Sequence, residues 1–132
     1  MQIYELAELE MNRDMDLARE LLLFIESQPK CDGSHWVQFE PEHFAVLGKS
    51  AGEIRYHLSL LIEAGFIRGQ HFGSGLPLVS KLTWQGHEFL DNIRDQDIWT
   101  KVKKRIEGLP SVALSVVVEI AKAEIKSKLG LP

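Results

Sequence analysis

The sequence carries one cysteine in 132 residues, Cys31, so no internal disulfide can form. No apolar run approaches the roughly 20 residues that a helix needs to cross a bilayer. The N-terminus shows no basic stretch followed by an apolar core and a small-residue cleavage site. A cytoplasmic protein without a membrane partner is therefore expected. Catalytic signatures are missing as well. The glycines of "GQHFGSG" fall between two strand-like runs, where they read as turn residues rather than a phosphate-cradling loop. Neither a G-x-S-x-G elbow nor an H-E-x-x-H helix occurs, and "GHEF" contributes only one histidine. Cys31, His35, His43, His71 and His87 lack the paired spacing of a structural zinc site. Asp91, Asp95 and Asp97 crowd a helix boundary, where carboxylates act as caps. The reading is a non-enzyme with no catalytic residues, no metal and no cofactor.

What is present suits a soluble globular chain: 45% hydrophobic and 26% charged residues are enough to build one core. The net charge of −4 hides a polarity. Residues 1–28 hold two basic against seven acidic side chains, residues 29–99 six against nine, and residues 100–132 seven against three. Basic character is thus concentrated in the last quarter of the chain.

The first ten residues, "MQIYELAELE", read as an N-terminal extension. From Asn12, a candidate cap, Met15, Ala18, Leu21, Leu22 and Ile25 recur at helical steps up to a stop at Pro29. "KCDGS" reads as a turn and "HWVQFE" as a strand. Pro41 opens a short helix, "PEHFAVL", that Gly48 ends. Ser50-Ala51-Gly52-Glu53 is a capping box. The helix it starts buries Ile54, Leu58, Leu61 and Ile62 and terminates at Gly65. Two helices so closely spaced make a helix-turn-helix. "FIRGQHF" and "LPLVSKL" then form a hairpin, with Gly73–Gly75 as its tip. Thr83 caps a helix whose inward positions are Trp84, His87, Leu90 and Ile93 or Ile98. A further helix, "DIWTKVKKRIE", stops at Gly108 and Pro110, and a valine-rich helix closes the chain.

In "KSAGEIRYHLSLLIEAGFIRG", His57-Leu58, Leu61 and "EAG" followed by two apolar residues are similar to the recognition helix of winged helix-turn-helix repressors. The runs "NRDMDL", "YHLSLLIEAGFI", "LTWQGHEFLDNIRD" and "IWTKVK", in that order, resemble a family of small bacterial and phage proteins designated a domain of unknown function. That likeness extends from about Met11 to Leu131. The resemblances imply a mainly α fold with a small β-hairpin wing. The winged helix-turn-helix core would span residues 11–95, and C-terminal helices residues 96–132. The likeness to winged helix-turn-helix repressors further implies a DNA-binding transcriptional regulator of bacterial or phage type, while the family of unknown function implies no activity. The candidate DNA contacts are Lys49, Ser50, Arg55, Tyr56, Ser59 and Arg68, with His71 and Ser74 in the wing. Glu53 and Glu63 would stand near phosphates as like charges. The competing expectation is a protein-interaction adapter, or a phage-encoded modulator of a host protein, on the same scaffold.

Other conspicuous residues have simpler readings. His57 lies in the apolar stripe and reads as a packed residue. Trp36, Trp84 and Trp99 read as core anchors, and an exposed Trp36 would instead mark a partner surface. Lys101, Lys103, Lys104 and Arg105 read as a solvated face around a stripe of Ile98, Val102 and Ile106. The last helix is apolar on more than one side. Val112, Val116, Val117, Ile120 and Ile125 are therefore either a homodimer seam or buried within the monomer.

Overall fold

The computed structural model describes residues 12–109 and 111–132; the proposed extension at residues 1–10 lies outside the described residues. The chain is mainly helical with one small antiparallel sheet, and it divides into two compact units, residues 1–83 and 84–132.

The first unit opens with α1, Met15–Glu26. Its cap is Asp14 rather than Asn12: an Asp14 carboxylate oxygen accepts the Leu17 amide at 3.1 Å. Leu17, Ala18, Leu21, Leu22 and Ile25 bury one face, while Met15 is only half-buried. Arg19, in the same helix, is 5% exposed, and its guanidinium pairs with Glu20 at 3.3 Å. Strand β1 runs from Asp32 to Gln38, so the last three residues of the "KCDGS" turn belong to the strand instead, and the turn ends before them. Asp32 does accept the Ser34 amide at 2.8 Å in turn fashion. It also pairs across the sheet with Lys81, and the register shifts between Asp32 and Val37 to absorb the irregularity.

The expected short helix is a 3-10 helix, Pro41–Leu47, with Pro41 in its first turn and Gly48 at φ 66° as its left-handed terminator. Phe24, Phe39 and Phe44 meet edge to face with ring centroids 4.9–5.9 Å apart. They tie α1, the end of β1 and the 3-10 helix into one aromatic cluster.

Helix α2, Ala51–Glu63, begins at the capping box read from the sequence. The Glu53 amide donates to the Ser50 hydroxyl at 3.1 Å, and the Ser50 amide donates to the Glu53 carboxylate at 3.2 Å. It ends in a Schellman turn: the Phe66 amide donates to the Leu61 carbonyl at 2.9 Å and the Gly65 amide to the Ile62 carbonyl at 3.0 Å. Ile54, His57, Leu58 and Leu61 are buried and Ile62 half-buried. Strands β2 (Ile67–Gln70) and β3 (Leu78–Leu82) form the hairpin, and the sheet order is β1-β3-β2, all antiparallel. This order of elements, with the 3-10 helix and α2 forming the helix-turn-helix, is winged-helix-like.

Two contacts fix α2 within this unit. A Cβ added at Gly69 would stand 2.9 Å from Ile62 Cδ1 and 2.9 Å from the Leu78 carbonyl oxygen of β3, so the Ile62 side chain of α2 lies directly against the backbone of β2. On the other side, His57 is 2% exposed. Its Nε2 accepts the Asp14 amide at 2.8 Å, and its Nδ1 lies 2.8 Å from the Glu53 carbonyl. Since an amide can only donate, Nε2 is unprotonated, and Nδ1 carries the hydrogen that Glu53 accepts. The packed reading of His57 holds, with a polar task added to it.

The second unit has three helices. In α3, Trp84–Ile93, the buried residues are Gly86, Phe89, Leu90 and Ile93. Trp84 is 77% exposed and His87 is exposed, which corrects the inward positions expected for both. The bulky Phe89, one position from Leu90, sets the phase of the stripe, and Trp84 and His87 fall off it. Helix α4, Gln96–Ile106, is capped by Asp95, which accepts the Ile98 amide at 3.0 Å. It buries Ile98, Trp99 and Val102. Helix α5, Leu114–Lys128, buries Val117 and Ala121. Arg105 pairs with Glu124 at 2.9 Å and Lys128 with Asp95 at 3.1 Å, so the residue that caps α4 also anchors the end of α5. Of the seam candidates, Val117 is fully buried and unavailable to a second copy. Val116 is 46% exposed, and Val112, Ile120 and Ile125 are half-buried.

Two substitutions test how α2 is held. Gly69→Ala forces strand and helix apart and should cost about 1–3 kcal/mol. His57→Phe keeps a ring but strands the Asp14 amide, and should also cost about 1–3 kcal/mol. Urea unfolding followed by circular dichroism measures both; an unchanged midpoint in either variant refutes that contact's role.

Candidate nucleic-acid interface

A winged-helix domain meets DNA through its second helix-turn-helix element, so the candidate interface is the outer side of α2 together with the wing. The eight candidate residues fall into three groups. Lys49 and Ser50, at the start of α2, are already engaged. The Lys49 ammonium pairs with the second carboxylate oxygen of Asp14 at 3.1 Å, and the Ser50 hydroxyl is the cap described above. The Asp14 side chain raises the pKa of Lys49 above its ordinary value.

Arg55, Tyr56 and Ser59 lie along the middle of α2. Arg55 is exposed and makes no hydrogen bond or ion pair among the described residues. Tyr56 is half-buried, with its ring edge-on to His57 at 5.6 Å. Ser59 is half-buried, and its hydroxyl lies 3.1 Å from His71 Nε2. This contact joins α2 directly to the loop of the wing. Arg55 and Ser59, at i and i+4, share one helical face.

The wing residues are set apart. Ser74 sits exposed in the turn at the tip. Arg68 lies in β2 and is drawn across the sheet, its guanidinium carbon 5.3 Å from the Trp36 ring centroid. It therefore does not sit with Arg55 on α2. Trp36, 44% exposed, is not a core anchor; it faces outward from β1 beneath this cation. Of the three tryptophans only Trp99, 1% exposed, fills a core.

The sequence offered no sign of the Asp14–His57–Lys49 cluster, which joins residues 43 positions apart by one hydrogen bond. The clue would have been a histidine in an apolar stripe, since such a ring needs partners for both nitrogens. Burial opposes the charge on Asp14, but the Leu17 amide and the Lys49 ammonium outweigh it and lower its pKa. Asp32 is lowered to about 2, chiefly because the Ser34 hydroxyl and amide and His35 donate to it. Burial, and then the Asp32 charge, raise the Cys31 thiol, which keeps it protonated and unreactive. No group of three or more His, Cys, Asp or Glu side chains comes together among the described residues as a metal site would require. No helix among them is long and apolar enough to cross a membrane.

Asp14 and Asp32 both have folded-state pKa values below the ordinary aspartate value of 3.8. Their charged forms therefore favour the folded state, and that contribution is complete above about pH 4. It should be lost as the pH falls through the depressed values, toward about pH 2. Urea midpoints measured across this range should decline, and the decline should be shallower in Asp14→Asn, which retains a cap but not the ion pair. Equal slopes for wild type and variant would contradict the assignment.

Comparison with known proteins places this arrangement in a family. A family model described as "Hypothetical protein (DUF2513)" matches residues 12–113. An uncharacterized protein of Haemophilus influenzae is 34% identical over 124 residues, covering 91% of this chain and 100% of that protein. No solved structure matches the chain significantly.

Proposed function

The chain belongs to the DUF2513 family, and from its winged-helix-like arrangement we propose that it is a DNA-binding transcriptional regulator of bacterial or phage type. The observation that carries this reading is Arg55, a cation free of any partner among the described residues, on the outer face of α2. The hydrogen bond between Ser59 and His71 at 3.1 Å supports it by holding helix and wing as one reading unit. In this reading α2 enters the major groove, Arg55 reaches a guanine edge or a phosphate, and Tyr56 and Ser59 contact the backbone. Lys49 and Ser50 act indirectly, by fixing where α2 begins. Ser74 brings the wing tip to the adjacent backbone. A dimer, usual for regulators that read two half-sites, would use Val116 and Ile120, one turn apart on α5, with Val112 just ahead of the helix.

A second reading has its own observation. Val46 is 91% exposed, Phe72 is 62% exposed and Trp36 is 44% exposed, all in the first unit. Apolar surface of this kind suits a protein-interaction adapter, including one that modulates a host protein.

Titration of labelled duplex DNA by fluorescence anisotropy separates the two readings. Binding should weaken with salt, and Arg55→Ala should reduce affinity by about 1–3 kcal/mol if it reads a base. Absence of binding at low salt, together with recovery of a stable complex with a protein, would replace the first reading by the second.

A further inference from the structure

The outer face of the sheet, on the side away from Gly69 and Ile62, carries a second cationic arrangement that the helix-turn-helix reading does not use. Arg68 and Lys81 are register partners on β2 and β3, so their side chains leave the same face. Both reach toward β1. The Arg68 guanidinium spans the central strand to lie 5.3 Å over the Trp36 ring. The Lys81 stem lies against Gly33, where an added Cβ would be 3.2 Å from Lys81 Cδ. Gly33, at φ 92°, is thus the gap in which Lys81 rests. Neither cation has an ion-pair partner among the described residues, and both are exposed.

The carboxylate opposite Lys81 in register, Asp32, forms no ion pair with it and turns one oxygen to its own strand. It accepts the Ser34 amide at 2.8 Å, the Ser34 hydroxyl at 2.6 Å and His35 at 3.3 Å. A guanidinium held over an indole face keeps N–H groups available to acceptors and loses less freedom on binding than one that is untethered. Two exposed cations side by side on one strand pair, with no ion-pair partner among the described residues, suit the repeated negative charges of a phosphodiester backbone better than a single buried anion.

We propose that Trp36, Arg68 and Lys81 form a nucleic-acid backbone contact on the outer sheet face, separate from the groove-reading surface of α2. The proposal rests on the DNA-binding reading and extends it: the bound nucleic acid touches the domain at two places. Trp36 positions Arg68, while Arg68 and Lys81 neutralise phosphates. The backbone can come from a duplex that continues past α2 or from an unpaired strand, and the two sources are separable.

The test measures affinity across a salt series for a labelled duplex and for a single strand of the same sequence. Wild type, Arg55→Ala, the double variant Arg68→Ala/Lys81→Ala and the conservative pair Arg68→Lys/Lys81→Arg are compared, all checked for folding by circular dichroism. The double variant should lower the slope of log affinity against log salt by about 1.8 for duplex or about 1.4 for single strand, as expected for two lost phosphate contacts. The conservative pair should restore most of it. A loss confined to one probe identifies the source. In a Trp84→Phe background, nucleic acid should quench the emission of Trp36. Unchanged slope and emission, with duplex binding still sensitive to Arg55→Ala, overturns this proposal and leaves the DNA-binding reading intact. If wild type binds neither probe, the DNA-binding reading falls and this proposal with it. Binding of polyglutamate in place of nucleic acid would likewise overturn it.

Discussion

The hydrogen bond from the Asp14 amide to His57 is the constraint around which the first unit is arranged. It is one bond, yet it settles three matters together. It holds the residue at which α1 begins, because Asp14 gives its amide to the imidazole while its carboxylate caps the helix. It fixes the tautomer of His57, and so directs the other nitrogen to Glu53, the residue that closes the capping box of α2. It also brings the Asp14 carboxylate within reach of Lys49, so the chain entering α2 is tied to the chain entering α1. A buried polar network of this kind is favourable only when every member is satisfied, and each of these side chains is.

That network explains which parts of the architecture could be read in the sequence. The start and end of α2 were legible, because a capping box and a left-handed glycine are local signals whose partners lie within a few residues. The hairpin and the short helix after Pro41 were legible for the same reason, although only the structure shows that the short helix is 3-10. The cap of α1 was not, since Asn12 and Asp14 are equivalent as local acceptors and a ring 43 residues away chooses between them. The strand through Asp32–Ser34 was hidden similarly: the Asp-Gly-Ser sequence does make a turn-like contact, and pairing with Lys81 overrides it. In α3 two overlapping apolar series compete, and packing around Phe89 decides for one that leaves Trp84 outside.

Site residues were less legible than the fold. Residue type marked Lys49, Ser50 and Arg55 equally as possible DNA contacts, but type says nothing of prior commitments. Lys49 and Ser50 hold the helix in place, and Arg55 alone of the three is left free. Arg68 was singled out for its charge, whereas its position over Trp36 depends on the strand order β1-β3-β2, which puts another strand between them. The same order brings Lys81 beside Arg68, a pairing no linear reading of the chain reveals.

The close approach at Gly69 separates what seats α2 from what the helix presents. The Ile62 side chain lies there directly against strand backbone, so the seat tolerates no added bulk on the strand. Arg55 is exposed on the same helix and takes no part in that contact. Its side chain can therefore be exchanged without loosening the helix, whereas Gly69 cannot gain even a methyl group without moving it.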